Sequence, residues 1–319
     1  MKRWMIVAVV LMVLGCVSFA VSFAAAGFDF LSIDSEVLVD QSYSVEESFH
    51  SIRVEDDIAD VRLVLASENR VECKESDRVR YSVEVKNQTL VIRAVDLRKW
   101  YNYLGFSFSD RAVTVYLTED FYRYLSVETD TGDVNIPEGF TFENANLSSD
   151  TGLILFCAKV SDRLHLETDT GNIRIASTAV SNLESETDTG SVEIKNVSVG
   201  GDLSLETDTG KIRMTDVTCG RLVCESDTGD MILTRVLSVG LMSLLSDTGD
   251  LQFDACDAPS VRIRTATGDV EGTFCSDKIF SVTTDTGDVD VPKSFSGGPC
   301  EIVTSTGDVN LRISSSVVP

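Results

Sequence analysis

From Leu125 to Leu311 apolar and polar residues alternate in short runs, and the phase of the alternation resets every 19 or 20 residues. Each reset falls on a Thr-Gly pair. The ten pairs are Thr131-Gly132, Thr151-Gly152, Thr170-Gly171, Thr189-Gly190, Thr209-Gly210, Thr228-Gly229, Thr248-Gly249, Thr267-Gly268, Thr286-Gly287 and Thr306-Gly307. Seven residues before the glycine stand Leu125, Ala145, Leu164, Leu183, Leu203, Leu222, Met242, Val261, Phe280 and Cys300, all apolar. The position five before it is apolar in every copy but one, which has Ser185, and the position three before it is always Thr or Ser. Side chains of a strand alternate with period two, so these three positions share one face. Apolar residues resume two positions after the glycine, from Val134 to Val309, with the opposite parity. Such a parity change marks a corner between two strands. At that corner glycine is expected to take a positive φ, and stacked threonines to hydrogen-bond from coil to coil.

A unit this short cannot bury an apolar face alone and must stack on its neighbours. The pattern therefore predicts an all-β, single-stranded β-solenoid of the parallel β-helix type, with about ten coils of 19–20 residues across 121–319. At about 4.8 Å per coil the rod is roughly 45–50 Å long. A propeller blade needs about 40 residues, twice the period seen here. Residues 29–120 lack the period but still read as strands, with Ile52 and Val54, Val61 and Leu63, Tyr81 and Val83, Leu90 and Ile92, and Val113 and Val115 at alternate positions. They are expected to form a β-rich capping region, with the aromatic stretch Trp100–Phe108 over the first coil.

Composition adds a compartment. Residues 4–28 carry no charge and follow Lys2 and Arg3, a run long enough to cross about 30 Å of hydrocarbon. Segment 1–28 is thus expected to be an N-terminal transmembrane helix. Positive residues in front of it place the chain from Asp29 onward outside the cytoplasm, as a single-pass protein of the cell membrane. Cleavage after Ala24-Ala25-Ala26 and lipidation at Cys16 are the alternatives. With 51 acidic against 27 basic residues the formal charge is -24, which excludes nucleic acid as a partner. Of eight cysteines, Cys16 lies in the apolar segment, and Cys73, Cys157, Cys219, Cys224, Cys256, Cys275 and Cys300 form no CxxC pattern. Buried free thiols are expected.

Asp130-Thr131-Gly132 also matches the tripeptide of pepsin-like proteases. That chemistry needs two carboxylates about 3 Å apart sharing a proton. Here Asp130, Asp150, Asp169, Asp188, Asp208, Asp227, Asp247 and Asp285 are equivalent members of one column, and Ala266 and Ser305 replace the aspartate in the other two repeats. No unique pair exists and no catalytic residue is assigned. A second acidic column follows the glycine at Asp133, Asp230, Asp250, Asp269, Asp288 and Asp308, interrupted by Leu153, Asn172, Ser191 and Lys211. The oxygen-rich pairs Asp130 with Asp133, Asp227 with Asp230, Asp247 with Asp250 and Asp285 with Asp288 are weak candidates for calcium, the single cofactor considered. His50 and His165 read as ordinary surface residues.

The lead-in "VTVYLTEDFYRYLSVETDTGDV", the recurring "TDTG" and "STGDV" units and the closing "GGPCEIVTSTGDVNL", behind an apolar span running into Gly27-Phe28-Asp29-Phe30, resemble the putative-adhesin β-strand-repeat family. That resemblance covers nearly the whole exported chain. It implies a bacterial envelope protein containing a domain of unknown function, a surface-facing β-solenoid and no established catalytic residue. The expected partners are the membrane, through the N-terminal helix, and an envelope protein or cell-wall ligand. The expected role is a non-enzymatic adhesin or envelope-stress scaffold with an acidic surface. The alternatives are a carbohydrate-active enzyme on a β-helix scaffold and a calcium-binding surface protein.

Overall fold

The computed structural model describes residues 37–97 and 111–314, with Met12, Gly15, Val17 and Ser18 in helical backbone. Apart from those four residues, the expected membrane helix lies outside the described residues, as does the Trp100–Phe108 stretch. Among the described residues no helix is long and apolar enough to cross a membrane. The chain begins with β1 (Val39–Ser44), β2 (Ser51–Asp56), β3 (Asp60–Leu65), β4 (Arg70–Glu75), β5 (Val79–Lys86), β6 (Thr89–Asp96) and β7 (Ala112–Leu117). The first repeats give β8 (Phe121–Thr129), β9 (Val134–Ile136), β10 (Thr141–Ser149), β11 (Ile154–Phe156), β12 (Lys159–Thr168), β13 (Ile173–Thr189), β14 (Val192–Val199) and β15 (Asp202–Thr209). The middle ones give β16 (Ile212–Cys219), β17 (Arg221–Thr228), β18 (Met231–Ser238), β19 (Leu241–Thr248), β20 (Leu251–Cys256) and β21 (Ser260–Thr267). The last are β22 (Val270–Phe274), β23 (Lys278–Thr286), β24 (Val289–Asp290), β25 (Gly298–Thr306) and β26 (Val309–Ile313).

One coil shows how the pattern closes. Val192, Ile194, Val197, Val199, Leu203, Leu205 and Thr207 are all buried, so inward positions follow the chain around a three-sided section. The first corner is the Thr-Gly pair. The second is a left-handed residue six positions after the glycine, seen at Ser177 (φ 53°), Asn196 (54°), Asp216 (56°), Arg235 (53°) and Ala255 (52°). The third carries Gly200-Gly201, Gly220 and Gly240, whose amides bond across to the preceding coil. Successive coils pair in parallel with like positions opposite, as in Leu183, Leu203, Leu222, Met242 and Val261. This is the predicted single-stranded β-solenoid.

Two further coils come from the segment expected to be a cap. β2 pairs in parallel with β8, and β3 with β9. Ile52, Val54 and Asp56 oppose Leu125, Val127 and Thr129, and Ala59 takes the place of glycine beneath Gly132. β6 and β7 stack on the other side of β2 and β3. Antiparallel strands then shut this end, β5 on β6, β4 on β7 and β1 on β4. The repeat escapes notice in 51–65 because Asp57-Ile58-Ala59 stands where Asp-Thr-Gly would.

Spatial order departs from chain order at both ends. The β2–β3 coil lies between β6–β7 and β8–β9. At the far end β25 pairs with both β21 and β23, so the last coil of the chain lies between the two that precede it. A buried side chain ties this inserted coil in place. Lys278, on the outermost coil, stands in register with Gly298, which itself sits over Pro259. With no side chain at Gly298 to obstruct it, Lys278 reaches Asp257 beyond the inserted coil and donates to Ser276 Oγ at 2.5 Å. The lysine side chain is 1% exposed, and a buried charge left without its partner costs about 3–5 kcal/mol. Asp257→Ala is therefore expected to lower the unfolding free energy by about 3 kcal/mol. Lys278→Met, which removes the buried charge itself, is expected to cost far less. Urea unfolding of the two variants distinguishes them.

Candidate functional site

The Thr-Gly corner is the most repeated chemical feature, and each of its positions has a separate task. A Cβ added at Gly152 would lie 2.0 Å from the carbonyl oxygen of Gly132, at Gly210 1.6 Å from that of Gly190, and at Gly287 2.1 Å from that of Gly307. The same holds at all ten corners, so glycine is required by the approach of one coil to the next. Positive φ is confined to Gly229, Gly249, Gly268, Gly287 and Gly307, at 147–157°. The expectation that every corner glycine needs positive φ therefore holds in the second half only. Backbone bonding also changes along the stack, starting at Gly190, before the first positive φ. Thr151 and Thr170 donate their N–H to the carbonyls of Asp130 and Asp150 in the coil before, both at 2.7 Å, whereas Gly210 and Gly229 donate to Thr228 and Thr248 in the coil after, at 3.0 and 2.9 Å.

Hydroxyl bonds from one corner to the next, where they form, come from the residue three before the glycine, while the hydroxyls of Thr168, Ser226, Ser246, Thr265 and Thr304 at that position make none among the described residues. Ser149, Thr187 and Thr207 donate to the carbonyls of Gly132, Gly171 and Gly190 at 3.0, 3.1 and 3.1 Å. The threonine of the Thr-Gly pair, by contrast, is exposed in all ten repeats. The sequence pattern singles out the threonine of the pair as the structural corner residue, not the one three before the glycine.

The second acidic column is a ladder. Asp133 N–H donates to Asp60 Oδ1 at 2.9 Å, and Leu153 N–H to Asp133 Oδ1 at 2.8 Å. Further along, Asp250 donates to Asp230, Asp269 to Asp250, Asp308 to Asp269 and Asp288 to Asp308. Asn172 serves the same purpose with its amide oxygen, accepting from Ser191 N–H at 2.9 Å. Lys211, an interruption of the column, reaches Asp230 Oδ2 at 2.8 Å, and this bond holds the Asp230 carboxyl below its ordinary range. Of the calcium candidates, Asp133, Asp230 and Asp250 thus already accept backbone amides. Among the described residues no three His, Cys, Asp or Glu side chains gather as a metal site.

The first column stays free of such bonds. Asp130, Asp227, Asp247 and Asp285 are exposed, as are Glu128, Glu167, Glu206 and Glu225 beside them on the same strand face. Burial, then the charges of Asp57, Asp150 and Glu128, raises the Asp130 carboxyl above its ordinary range. Burial, then Glu186 and Glu225, does the same to Glu206. Unit charges about 4.8 Å apart repel by about 0.9 kcal/mol even in water. The eight aspartates of the Asp-Thr-Gly units are spread one per coil, so no protease dyad forms.

A groove of about 560 Å³ opens on the next face of the coil, lined by Thr234, Gln252, Asp254, Glu271, Asn310 and Arg312. Arg312 Nη2 is held by Asp290 Oδ2 at 2.7 Å. Sequence reasoning missed it, because its residues lie at outward positions that vary between repeats. His165 sits between Glu167 and Glu184 at 3.5 and 3.4 Å. The seven described cysteines are unpaired, and burial pushes the thiols of Cys73, Cys256 and Cys300 up to about 12.

Residues 49–206 and 200–318 match the family model of Toastrack DUF4097, spanning both the periodic coils and the β2–β3 coil that lacks the Thr-Gly pair. The chain belongs to the Toastrack DUF4097 family. Solved structures similar to this Toastrack chain include a putative lipid binding protein from Parabacteroides distasonis, 14% identical with a TM-score of 0.48, over 86% of this chain and 96% of that one. A putative adhesin from the same organism is 13% identical with a TM-score of 0.45, over 87% and 98%. A putative adhesin from Bacteroides fragilis is 14% identical with a TM-score of 0.39, over 87% and 98%. No functionally curated protein matches the chain.

Two outcomes test this account of the Toastrack corner. Gly210→Ala is expected to destabilise by about 3 kcal/mol or more, and Asp208→Ala by no more than about 0.5 kcal/mol, in thermal or urea unfolding. Glu206 has a folded pKa raised above its unfolded one, so the fold binds that proton more tightly and gains stability as pH falls through the raised value. Glu206→Gln should therefore melt higher than the parent at pH 7, with the difference closing by about pH 4.

Proposed function

We propose that this Toastrack chain is a non-enzymatic scaffold of the bacterial cell envelope, anchored in the membrane by its N-terminal segment with the solenoid outside the cytoplasm. Its exposed carboxylate face engages a cationic envelope protein or cell-wall ligand, in the manner of an adhesin or an envelope-stress scaffold. One observation carries this reading. The residues that hold the coils together are the glycines, the hydroxyls of Ser149, Thr187 and Thr207 and the ladder aspartates, whereas among the described residues the outer Glu and Asp columns support no coil-to-coil side-chain bond. Burial, and after it the neighbouring carboxylates, raise Asp130 and Glu206 above the ordinary carboxylate range. A carboxylate column that ties no coil to the next among the described residues suits a surface kept for a partner of opposite charge.

A second reading rests on the mixed-charge groove. Asp254 and Glu271 face it together with Arg312, and acidic side chains beside a cation are what a carbohydrate-active enzyme on this scaffold would use.

Co-sedimentation of the full chain with isolated envelope material separates the readings. Replacing Glu167, Glu186, Glu206 and Glu225 together by Gln is expected to reduce binding about tenfold and to flatten its salt dependence. Unchanged binding, or hydrolysis of cell-wall polysaccharide that Glu271→Gln abolishes, would overturn the proposal.

A further inference from the structure

We propose that the outermost coil, β23–β24, is a docking edge that takes up one extended strand of a partner polypeptide in parallel register. The two ends of the rod differ. At one, β5, β4 and β1 close the stack with antiparallel strands. At the other, among the described residues, β23 pairs only with β25 and β24 only with β26, leaving a whole coil edge open. The apolar row is only half covered there. Phe280, Val282 and Val291 are half-buried and Val289 is 47% exposed, whereas Cys300, Ile302, Val309 and Leu311 in the coil beneath are 1%, 0%, 0% and 0% exposed.

The edge is also a ladder with its last rung unfilled. In each inner coil of this region the aspartate after the glycine accepts the next coil's backbone N–H, from Asp250 through Asp269 to Asp308. Asp308 Oδ1 receives Asp288 N–H at 2.8 Å, and the Asp288 carboxylate receives no hydrogen bond among the described residues. The Gly307 carbonyl is covered by Gly287, while the Gly287 carbonyl has no coil beyond it. Natural sheets guard such edges with proline or outward lysine. Pro292 and Lys293 guard the end of β24, but β23 has no proline, and its single lysine, Lys278, points inward and is buried.

The chemistry of the occupant follows from the same coil. An incoming strand needs apolar side chains at alternate positions over Phe280 and Val282, then Ser or Thr, then glycine beside Gly287. It also needs basic side chains, because Asp277, Asp285, Asp288 and Asp290 are all exposed at this end. Lys211 against Asp230 at 2.8 Å shows that a lysine one position after the corner reaches the aspartate of the adjoining coil. A second copy of the chain does not meet these needs. Among the described residues its solenoid strands are paired on both sides except at its own β23–β24, its other one-sided strands, β1 and β5, belong to antiparallel pairs, and two acidic β23–β24 edges repel. Strand addition of this kind draws affinity from main-chain bonds and specificity from alternate side chains.

The probe is a synthetic peptide with the sequence of residues 298–313 carrying S305K and D308K, titrated into the full-length chain. The expected result is saturable binding with amide-exchange protection confined to β23 and β24, absent with a scrambled peptide. Asp285→Lys with Asp288→Lys should weaken it about tenfold or more, and Val282→Glu should abolish it. Because Val282 packs on the core, the two charge reversals, which are exposed, decide the matter if that variant melts early. Absence of binding, binding indifferent to the charge reversals, protection at the β5 end, or self-association of the chain through β23 would each overturn the proposal.

Discussion

The ten Thr-Gly coils of this solenoid are set by one close contact, the α-carbon of a corner glycine against the corner carbonyl of the coil beside it. Strands in a sheet lie about 4.8 Å apart, and a corner can keep that spacing only if nothing projects between adjoining turns. Glycine meets this condition whether its φ is positive or not. The corner backbone can therefore switch its bonding midway along the rod without breaking the stack. The alternating apolar residues fill the three-sided interior only because the corners come together at this distance.

The same constraint explains what the sequence shows and what it conceals. Ten coils are legible because glycine must recur wherever corners stack, and the inward set follows from strand parity. The β2–β3 coil is hidden because it lies at the edge of the glycine column, where Ala59 suffices and contributes only its carbonyl beneath Gly132. The sequence between β6 and β7 carries no Thr-Gly pair, so Leu90 and Ile92 read as an isolated strand although they oppose Ile52 and Val54. The order of the last coils is illegible for a deeper reason. All coils present like positions at like heights, so any coil fits beside any other, and no periodicity distinguishes neighbours in space from neighbours in chain. The local mark of the insertion is Gly297-Gly298, where a lysine from the coil beyond can pass.

At the candidate site, the tripeptide divides into residues that serve the stack and residues that do not. The column after the glycine proves to be structural, since asparagine can replace aspartate in it at Asn172 without loss of the bond. The column before the glycine accepts Ala266 and Ser305 in place of aspartate and, among the described residues, has no carboxylate bond to preserve. Spacing could not separate the two columns, because both are acidic and both recur at the same interval. Separation required knowing which carboxylates face a backbone amide and which face water. The mixed-charge groove was equally invisible, because Gln252, Glu271 and Asn310 stand three residues after their glycines and Thr234, Asp254 and Arg312 five after, at positions whose residue type changes from repeat to repeat.

The interleaved ends change how the rod would respond to tension. A solenoid whose coils follow chain order can be peeled like tape, one turn after another, from either terminus. Here a pull on the C-terminal strand must first drag a coil out from between two others, breaking two ladders of parallel bonds and the Lys278–Asp257 tie before any neighbour is released. A pull from the other side meets the β2–β3 coil, clamped in the same manner. The rod is knotted in effect, though not in topology, and it should yield to force in a single late rupture where a simple stack would unravel in small steps.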